Sequence, residues 1–409
     1  MSTSGDRLAL RAGRSLEPVR DRPRSEQIVV VLSRSGRTMW RYHSPPKERF
    51  GAIAISPDGR RIFCDYTTEP LLVKPGRYAD AAERKPGGDI YPLDTVGYSG
   101  GIYCFGSTGK VRWKTRRKAT SVFEDVDPPL GRVRQATRGL LLLVNPGWEC
   151  ERGLTLLNFS GRILLRREFA QGKAQSILLW PDGRRLAIGW HENLTIMDLA
   201  GKTLVGVKGL SFRQWSESAA RAVSPDGKVL LAHDSDVTRV AFLDKAGRLK
   251  WSYKFPADWS PYVVPSTGAS AGQRVSVIHE PAVGAGPQGT SVLVVRGTRR
   301  VLFRFRGSSY IPKQVELPGV EQLPGDQYLS PDGTVLAVVA RMARRETSGK
   351  RPQAVTLLSA SGAVLGEVDL PRLPSPGQPT GFSQVAFSNP AKYLAMASGP
   401  DLYFMGITP

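Results

Sequence analysis

Short apolar segments of strand length alternate with turn sequences along most of this chain. One turn motif, a serine or tryptophan followed by Pro-Asp-Gly, occurs at residues 56–59, 180–183, 224–227 and 330–333. Its proline sets φ at the second position, its aspartate bonds nearby backbone, and its glycine supplies the positive φ that closes a hairpin. Weaker copies at 136–139, 270–273 and 388–391 bring the number of such turns to seven. Each turn predicts a β-hairpin between two apolar strands.

A second type of hairpin alternates with the first, and its glycine usually follows Ser, Ala or Thr. The seven glycines are Gly36, Gly109, Gly161, Gly201, Gly247, Gly297 and Gly362. Seven hairpins of each type predict seven repeats of four antiparallel strands, here called a to d. The third repeat is the most compact, with strands predicted at 176–180, 185–190, 194–199 and 203–207.

The two ends of the chain predict how the repeats are joined into a ring. The chain begins with a c–d hairpin, at 28–42, and ends with an a–b hairpin, at 384–397. Pairing of these halves would complete one blade and remove the exposed edges of an open array. The pattern therefore predicts an all-β fold: a seven-bladed β-propeller of four-stranded antiparallel blades, in which 26–43 completes the last blade with 381–409. Residues 402–405 are then a fifth strand of that blade or a substitute for 28–32.

These hairpins resemble those of known propeller families. The Ser-Pro-Asp-Gly-Arg/Lys turn followed by an apolar strand is similar to WD-repeat-like and TolB-like propellers. Hairpins such as Gly109-Lys110-Val111-Arg112-Trp113 resemble pyrroloquinoline-quinone-type repeats, and the resemblance extends over residues 26–409. The terminal Trp-Asp dipeptides of true WD repeats are absent. No residues match the acidic cluster and calcium site of the quinoproteins, so no cofactor is expected.

Composition adds mainly a strong positive charge to this interpretation. The chain of 409 residues has 57 Lys and Arg against 36 Asp and Glu, a formal charge of +21. Residues 1–25 carry six arginines without apolar periodicity and are predicted to be a flexible basic tail, which leaves 26–409 as a single propeller domain. Because the sequence shows neither a secretory signal nor a transmembrane span, the expected location is the cytoplasm.

The cysteines and short motifs exclude several kinds of chemistry. Cys64, Cys104 and Cys150 include no Cys-x-x-Cys pair and predict no zinc site. Cys64 and Cys104 are expected on adjacent strands where they could face each other, but buried, reduced thiols are preferred. The sequence has no Gly-x-Ser-x-Gly elbow and no Gly-x-x-x-x-Gly-Lys-Ser/Thr phosphate loop, which disfavours hydrolases and nucleotide enzymes that rely on them.

Three of the four histidines precede a carboxylate at one predicted structural position. The pairs are His191-Glu192, His233-Asp234 and His279-Glu280, each expected at the end of strand b in consecutive blades. Such a ring could bind a metal or catalyse acid–base chemistry on one face of the propeller. However, neighbouring copies should lie about 10 Å apart, whereas metal ligands lie ~2.0–2.2 Å from one ion. Capping of strand ends is therefore the preferred interpretation, and no metal site is predicted.

Positive charge is the strongest functional signal in the sequence. Strand d of the first blade contains Lys110, Arg112, Lys114, Arg116, Arg117 and Lys118, and an insert in the sixth blade contains Arg344 and Arg345. Strand d is outermost, and its period of two places the first four cations on one side of the rim. Solvated surface is the alternative, but +21 exceeds the charge of roughly 2–8 that keeps small domains soluble. The excess is expected to attract an acidic protein, nucleic acid or anionic lipid.

Two functions from different classes follow from these observations. The first is a non-enzymatic propeller that acts as an interaction platform or scaffold, with a basic rim that contacts its partner. The second is an enzyme or a metal or small-molecule binder at the channel mouth, which uses the His/carboxylate ring and is similar in layout to propeller lyases and lactonases. We prefer the first hypothesis because the charge pattern is more specific than the histidine pattern.

Overall fold

The structure is a computed structural model, and all of its regular secondary structure in the described residues is β-strand. The residues described are 6–15, 25–68, 71–72, 96–121, 131–146, 151–169, 174–190, 192–212, 222–224, 226–234, 239–255, 278–286, 289–296, 299–305, 313–316, 326–330, 332–339, 353–359, 361–370, 384–388, 391–398 and 401–407. Predicted features outside these ranges include Cys150, His191, Arg344 and Arg345.

The first half of the chain forms three sheets, and we number all strands in chain order. The first sheet consists of β1 (Arg7–Ser15), β2 (Ser25–Ser33) and β3 (Thr38–His43). The second consists of β4 (Glu48–Ile55), β5 (Ile62–Thr68), β6 (Leu71–Leu72), β7 (Val96–Phe105), β8 (Val111–Lys114) and β9 (Arg117–Ser121). The third consists of β10 (Arg132–Thr137), β11 (Leu140–Pro146), β12 (Glu151–Asn158), β13 (Ile163–Glu168), β14 (Ala174–Leu179), β15 (Arg185–Trp190), β16 (Asn193–Asp198) and β17 (Thr203–Lys208).

Four further sheets complete the described part of the chain. The fourth consists of β18 (Val229–His233), β19 (Arg239–Asp244) and β20 (Leu249–Lys254). The fifth consists of β21 (Ile278–Gly286), β22 (Gly289–Arg296), β23 (Arg299–Phe305) and β24 (Lys313–Glu316). The sixth consists of β25 (Asp326–Leu329), β26 (Val335–Val339), β27 (Gln353–Ser359) and β28 (Val364–Leu370). The seventh consists of β29 (Gln384–Phe387), β30 (Tyr393–Ser398) and β31 (Asp401–Gly406).

The sheets form a β-propeller with four-stranded antiparallel blades, but the predicted number of blades is wrong. The described residues form six blades rather than seven, and no sheet closes. Five of the sheets keep their strands in chain order, as propeller blades do. In the third sheet β12 pairs with both β13 and β14, and in the second sheet β6 pairs with β7 beyond β5. The predicted third repeat is confirmed, because β14 to β17 lie within two residues of their expected positions.

The predicted pairing of 26–43 with 381–409 is also wrong. Strand β2 pairs with β1 on one edge and β3 on the other, so β1 occupies the place expected for β30. Strand β30 likewise pairs with β29 and β31, which makes residues 402–405 the substitute for 28–32. The segment expected to be a tail thus contributes a strand over Arg7–Ser15. The first and last sheets instead meet through side chains, since Leu8 and Leu32 share a buried cluster with Ala395.

The turn motif has the predicted chemistry. In the first copy, Ser56 Oγ donates to Asp58 Oδ1 at 2.6 Å, and Asp58 Oδ1 accepts the backbone N–H of Arg60 at 3.0 Å. The same serine–aspartate bond occurs in the copies that begin at Ser224 and Ser330. The motif glycines, such as Gly59 at φ 67°, have the positive φ that a side chain would make costly.

The glycines of the second hairpin also provide the contacts between neighbouring sheets. A methyl group added at Gly109 would come within 2.8 Å of the Trp40 ring in the preceding sheet. The equivalent packing recurs along the chain, and its successive pairs are Trp113 with Gly161, Leu165 with Gly201, and Val205 with Gly247. Because each outer strand covers the next glycine, these hairpins lie side by side along one face of the propeller.

Candidate interaction surface

The basic segment of the second sheet lies on the outer edge, as predicted. Strands β8 and β9 both pair with β7, and in the described residues neither of them pairs with a further strand. Lys110, Arg112, Arg116 and Arg117 are exposed. The side chain of Lys118 is outside the described set.

The expected alternation of the cations is interrupted by a β-bulge. Val111 pairs with Phe105 and Trp113 with Cys104, so two residues of β8 face one of β7 and Arg112 is the additional residue. Lys114 lies opposite Tyr103 and turns toward β4 of the same sheet, where its ammonium is 2.5 Å from Glu48 Oε1. The prediction that four cations share one side is therefore wrong, because Lys114 belongs to an internal cluster.

Two tyrosines complete the cluster around Lys114. The ammonium lies 4.4 Å from the ring centroids of both Tyr66 and Tyr103, and the Tyr103 hydroxyl donates to Glu48 Oε2 at 2.5 Å. Burial, followed by the Glu48 charge, raises the pKa of Tyr66 to about 12. Burial and the bond to Glu48 also raise the pKa of Tyr103 well above its ordinary value. This cluster links the inner and outer strands of the second sheet, and Glu48 neutralises one cation of the basic segment.

Exposed cations recur at the outer strand or outer hairpin of every sheet from the first to the fourth. In addition to those of β8, they are Arg34, Arg37, Arg41, Arg162, Arg166, Arg167, Lys202, Lys208, Lys245, Arg248, Lys250 and Lys254. Carboxylates offset a few of them: Glu168 pairs with Arg166, and Asp244 pairs with Arg248 and Lys250. The sixth sheet differs, since its outer strand β28 has no cation and an exposed Glu367. The basic surface is thus an arc rather than a full ring.

The same outer strands also carry a set of exposed apolar residues that was not predicted from the sequence. Large apolar side chains that are 38% to 62% exposed in the described residues are Met39, Val111, Leu164, Leu204, Leu249, Val364 and Leu365. Each belongs to the pair of residues that forms a β-bulge directly after the second-hairpin turn. The repeated Gly-Arg/Lys sequence before the first five of these residues is the signal that could have identified them.

The structure does not bring the histidine–carboxylate pairs to one equivalent position. His233 ends β18, is buried, and places Nδ1 2.7 Å from the Asp234 carbonyl oxygen. His279 is the second residue of β21 and does not end a strand, contrary to the prediction, because the residues after it continue the strand to Gly286. His191 and the side chains of His279 and Glu280 lie outside the described set.

The two carboxylates of these pairs that are described have different surroundings. Asp234 Oδ1 accepts the backbone N–H of Arg239 at 3.1 Å, which matches the predicted capping of a strand end. Glu192 is exposed, and its backbone carbonyl accepts the N–H of Gly209. In the described part of the chain, no three His, Cys, Asp or Glu residues group in a way that could hold a metal ion.

The two described cysteines do not face each other. Cys64 pairs with Tyr103 and Cys104 with Phe63, so their side chains enter different core clusters on opposite faces of the sheet. Both are free and buried. Burial raises the pKa of Cys64 well above its ordinary value and that of Cys104 to about 11. These thiols are therefore poor nucleophiles near neutral pH.

Comparison with known proteins supports the fold and does not extend to function. No protein-family model and no curated protein matches the sequence. A crystal structure of the eukaryotic initiation factor matches with a TM-score of 0.51 and 11% identity, over 100% of this chain and 84% of that one. Dihydro-heme d1 dehydrogenase NirN in complex with DHE matches with a TM-score of 0.48 and 13% identity, over 93% and 68%. Hydrazine synthase of Kuenenia stuttgartiensis matches with a TM-score of 0.43 and 15% identity, over 87% and 94%.

The arrangement of the sheets defines the class of protein. At 11% identity the match to the initiation factor shows a shared fold alone, and no conclusion is drawn from the two matches with TM-scores below 0.5. The chain is a β-propeller protein. The ranges described include no helix of the length and apolarity needed to cross a bilayer.

Proposed function

We propose that this chain is a non-enzymatic β-propeller that serves as an interaction platform and binds a polyanionic partner through its basic outer strands. The observation that carries this proposal is the arc of exposed cations on the outer strands of the first four sheets. Such a field attracts anionic surfaces and raises the rate of encounter with them. Unpaired Cys64 and Cys104 support a cytoplasmic location as part of the same proposal.

The arc is accessible for binding because most of its cations are not consumed by internal contacts. In the second sheet, Lys114 is engaged by Glu48, whereas Lys110, Arg112, Arg116 and Arg117 are exposed. Arg116 donates a long 3.4 Å bond to Ser99 Oγ, which leaves its charge intact. A partner could therefore be bound here without disrupting the core.

Charge reversal tests the proposal. Lys110, Arg112, Arg116 and Arg117 are changed together to Glu, and binding of the full chain to heparin is measured against salt concentration. We expect the affinity to fall by at least about tenfold, the salt dependence to become shallower, and the melting temperature to stay near that of the unchanged protein.

The matched control reverses the same number of exposed cations away from the outer strands. These are Arg49, Arg60, Arg184 and Lys392. Because the total charge changes equally, a comparable loss in the control would show that binding follows net charge and would overturn the role of the outer strands. Salt-independent heparin binding would have the same consequence.

A further inference from the structure

The exposed apolar residues and the cations occur together at each outer hairpin. The residue directly after the hairpin glycine is Arg37, Lys110, Arg162, Lys202 and Arg248 in five successive outer strands. One or two positions later each strand has its bulge, with Met39, Val111, Leu164, Leu204 or Leu249 exposed. The sixth sheet has the apolar pair Val364 and Leu365 after Ala363, without a cation.

The bulges explain why Met39, Leu164 and Leu204 are not buried, because these three are the additional residues of their strands. In β8 and β20 the additional residue is a cation, Arg112 or Lys250, and it directly follows the exposed Val111 or Leu249. In a regular strand, side chains alternate between two faces, and both faces of a blade pack on neighbours. A bulge inserts a residue and re-aims a side chain out of this alternation. For example, Thr203 pairs with Met197 and Val205 with Ile196, which leaves Leu204 without a facing residue and 47% exposed. Bulges also protect edge strands from pairing with another chain, but that purpose does not require leucine, methionine or valine at the exposed position.

We infer that these five hairpins bind the surface of an anionic phospholipid bilayer, which rests on the proposed function and names its partner. The hairpins lie side by side on one face, as the contact of Trp40 with Gly109 and of Trp113 with Gly161 shows. A flat surface can therefore contact all of them at once. The cations pair with lipid phosphates and carboxylates, and the apolar side chains enter the boundary between headgroups and acyl chains.

The spacing of the apolar residues favours a bilayer over a protein partner. Each exposed apolar residue is separated from the next by one blade, about 10 Å when sheets pack face to face. Protein interfaces concentrate binding energy in a contiguous, fully desolvated centre, and isolated side chains at this spacing do not provide one. A fluid bilayer accepts each side chain independently, so the separate contacts add up.

Vesicle binding tests the inference with two matched double variants of the full chain. One variant carries Leu164→Ser and Leu204→Ser, and the other carries Arg162→Glu and Lys202→Glu. The control variant carries Val364→Ser and Leu365→Ser in the sixth sheet, where no cation accompanies the bulge. Each is sedimented with vesicles of phosphatidylcholine and phosphatidylserine, with vesicles of phosphatidylcholine alone, and measured separately against heparin.

We expect the unchanged protein to bind the vesicles that contain phosphatidylserine and not those of phosphatidylcholine alone. The leucine and the charge variants should each bind at least about tenfold more weakly, while the control variant binds as the unchanged protein does. Heparin binding should be weakened in the charge variant and kept in the leucine variant. If the unchanged protein bound heparin but no vesicles, or if the leucine variant bound vesicles normally, the bilayer would be wrong as the partner and a soluble polyanion would remain. If the unchanged protein bound neither vesicles nor heparin, the proposed function itself would be wrong.

Discussion

Asp65 offers the most direct test of how the second sheet is held against the third. Its carboxylate is buried and accepts the backbone N–H of Ala52 at 3.1 Å on each oxygen. Oδ2 also accepts the N–H of Val133, in the next sheet, at 2.7 Å. Substitution of Asp65 by Ala removes this shared acceptor. A buried N–H without its partner costs about 1–3 kcal/mol, so two of them predict a loss of about 2–6 kcal/mol in the free energy of unfolding.

Urea unfolding of Asp65→Ala and of the unchanged protein, followed by tryptophan fluorescence, measures this loss. The matched control is Glu168→Ala, because the carboxylate of Glu168 is 73% exposed and pairs with Arg166. An exposed pair contributes about 0–1 kcal/mol, so the control should change stability little. If both variants lose the same small amount, below about 1 kcal/mol, then Asp65 does not join the two sheets.

A second substitution tests whether the loss of stability depends on the position of the Asp65 carboxylate. A methyl group added at Gly51 would lie 1.7 Å from Asp65 Oδ1, so Gly51→Ala must displace the carboxylate. Gly51→Ala should therefore destabilise the unchanged protein and have a much smaller effect in the Asp65→Ala background. Equal effects in both backgrounds would refute the contact, since independent sites give additive changes.

Three further predictions follow from the fold. Removal of residues 1–15 should lower the melting temperature, because β1 pairs along β2 and contributes a buried leucine; an unchanged melting temperature would mean that this segment is a dispensable tail. Gly109→Ala should cost about 1–3 kcal/mol, since it combines a φ of 81° with a contact to a tryptophan ring, whereas Gly206→Ala, with open space around it, should cost little in thermal unfolding. Burial raises the pKa of Asp58 and Asp226, but hydrogen bonds from the turn serine and backbone outweigh this and hold both values below the usual carboxyl range. A carboxyl whose pKa is lowered in the folded state contributes stability above its unfolded pKa, and this stability is lost as the pH falls through the folded pKa. Changing the turn serines to Ala should therefore shift the acid unfolding curve. Superimposable curves would contradict the role of the serines.

The propeller repeats were predictable because their determinants are local. A Pro-Asp-Gly turn fixes its own geometry within four residues, and the apolar segments on both sides are then paired by the turn. For this reason β14 to β17 were located from sequence almost to the residue. The positive φ values at Gly59 and Gly333 were predicted from the Pro-Asp-Gly sequence in the same way.

The ends of the chain were mispredicted because pairing between distant strands is not written in local sequence. Strand β1 carries arginines at positions 7, 11 and 14, and this charge was taken as the mark of a tail. In the structure β1 pairs along β2, and Leu8 and Leu10 lie on one face of β1 with Ala395 of the last sheet, while Ala9 packs against the cluster of the second sheet. Once β1 is paired, the edge of β2 is no longer available to close the ring. Strand β21 was missed for a related reason, because its Pro and Gly residues indicate a loop.

The candidate surface was predictable in charge but not in detail. The exposed cations of β8 were expected from composition and period, but Lys114 is held by Glu48, which is 66 residues earlier in the chain. No local pattern indicates that contact. The bulges depend on the register between two strands, so Leu164 and Leu204 were not recognised as exposed until the pairing was known.

The first and last sheets meet through a side-chain contact, here called the seam, and not through strand pairing. A closing strand would fix one register, and opening the ring would break a whole hydrogen-bond ladder at once. Leu8, Leu32 and Ala395 meet through apolar surface, which has no register and can slide or part gradually. We therefore expect strain imposed on one blade to be relieved by a small change in the distance between the first and last sheets. A duplicated blade could also be accommodated by repacking the seam, without any need to restore a broken strand pairing.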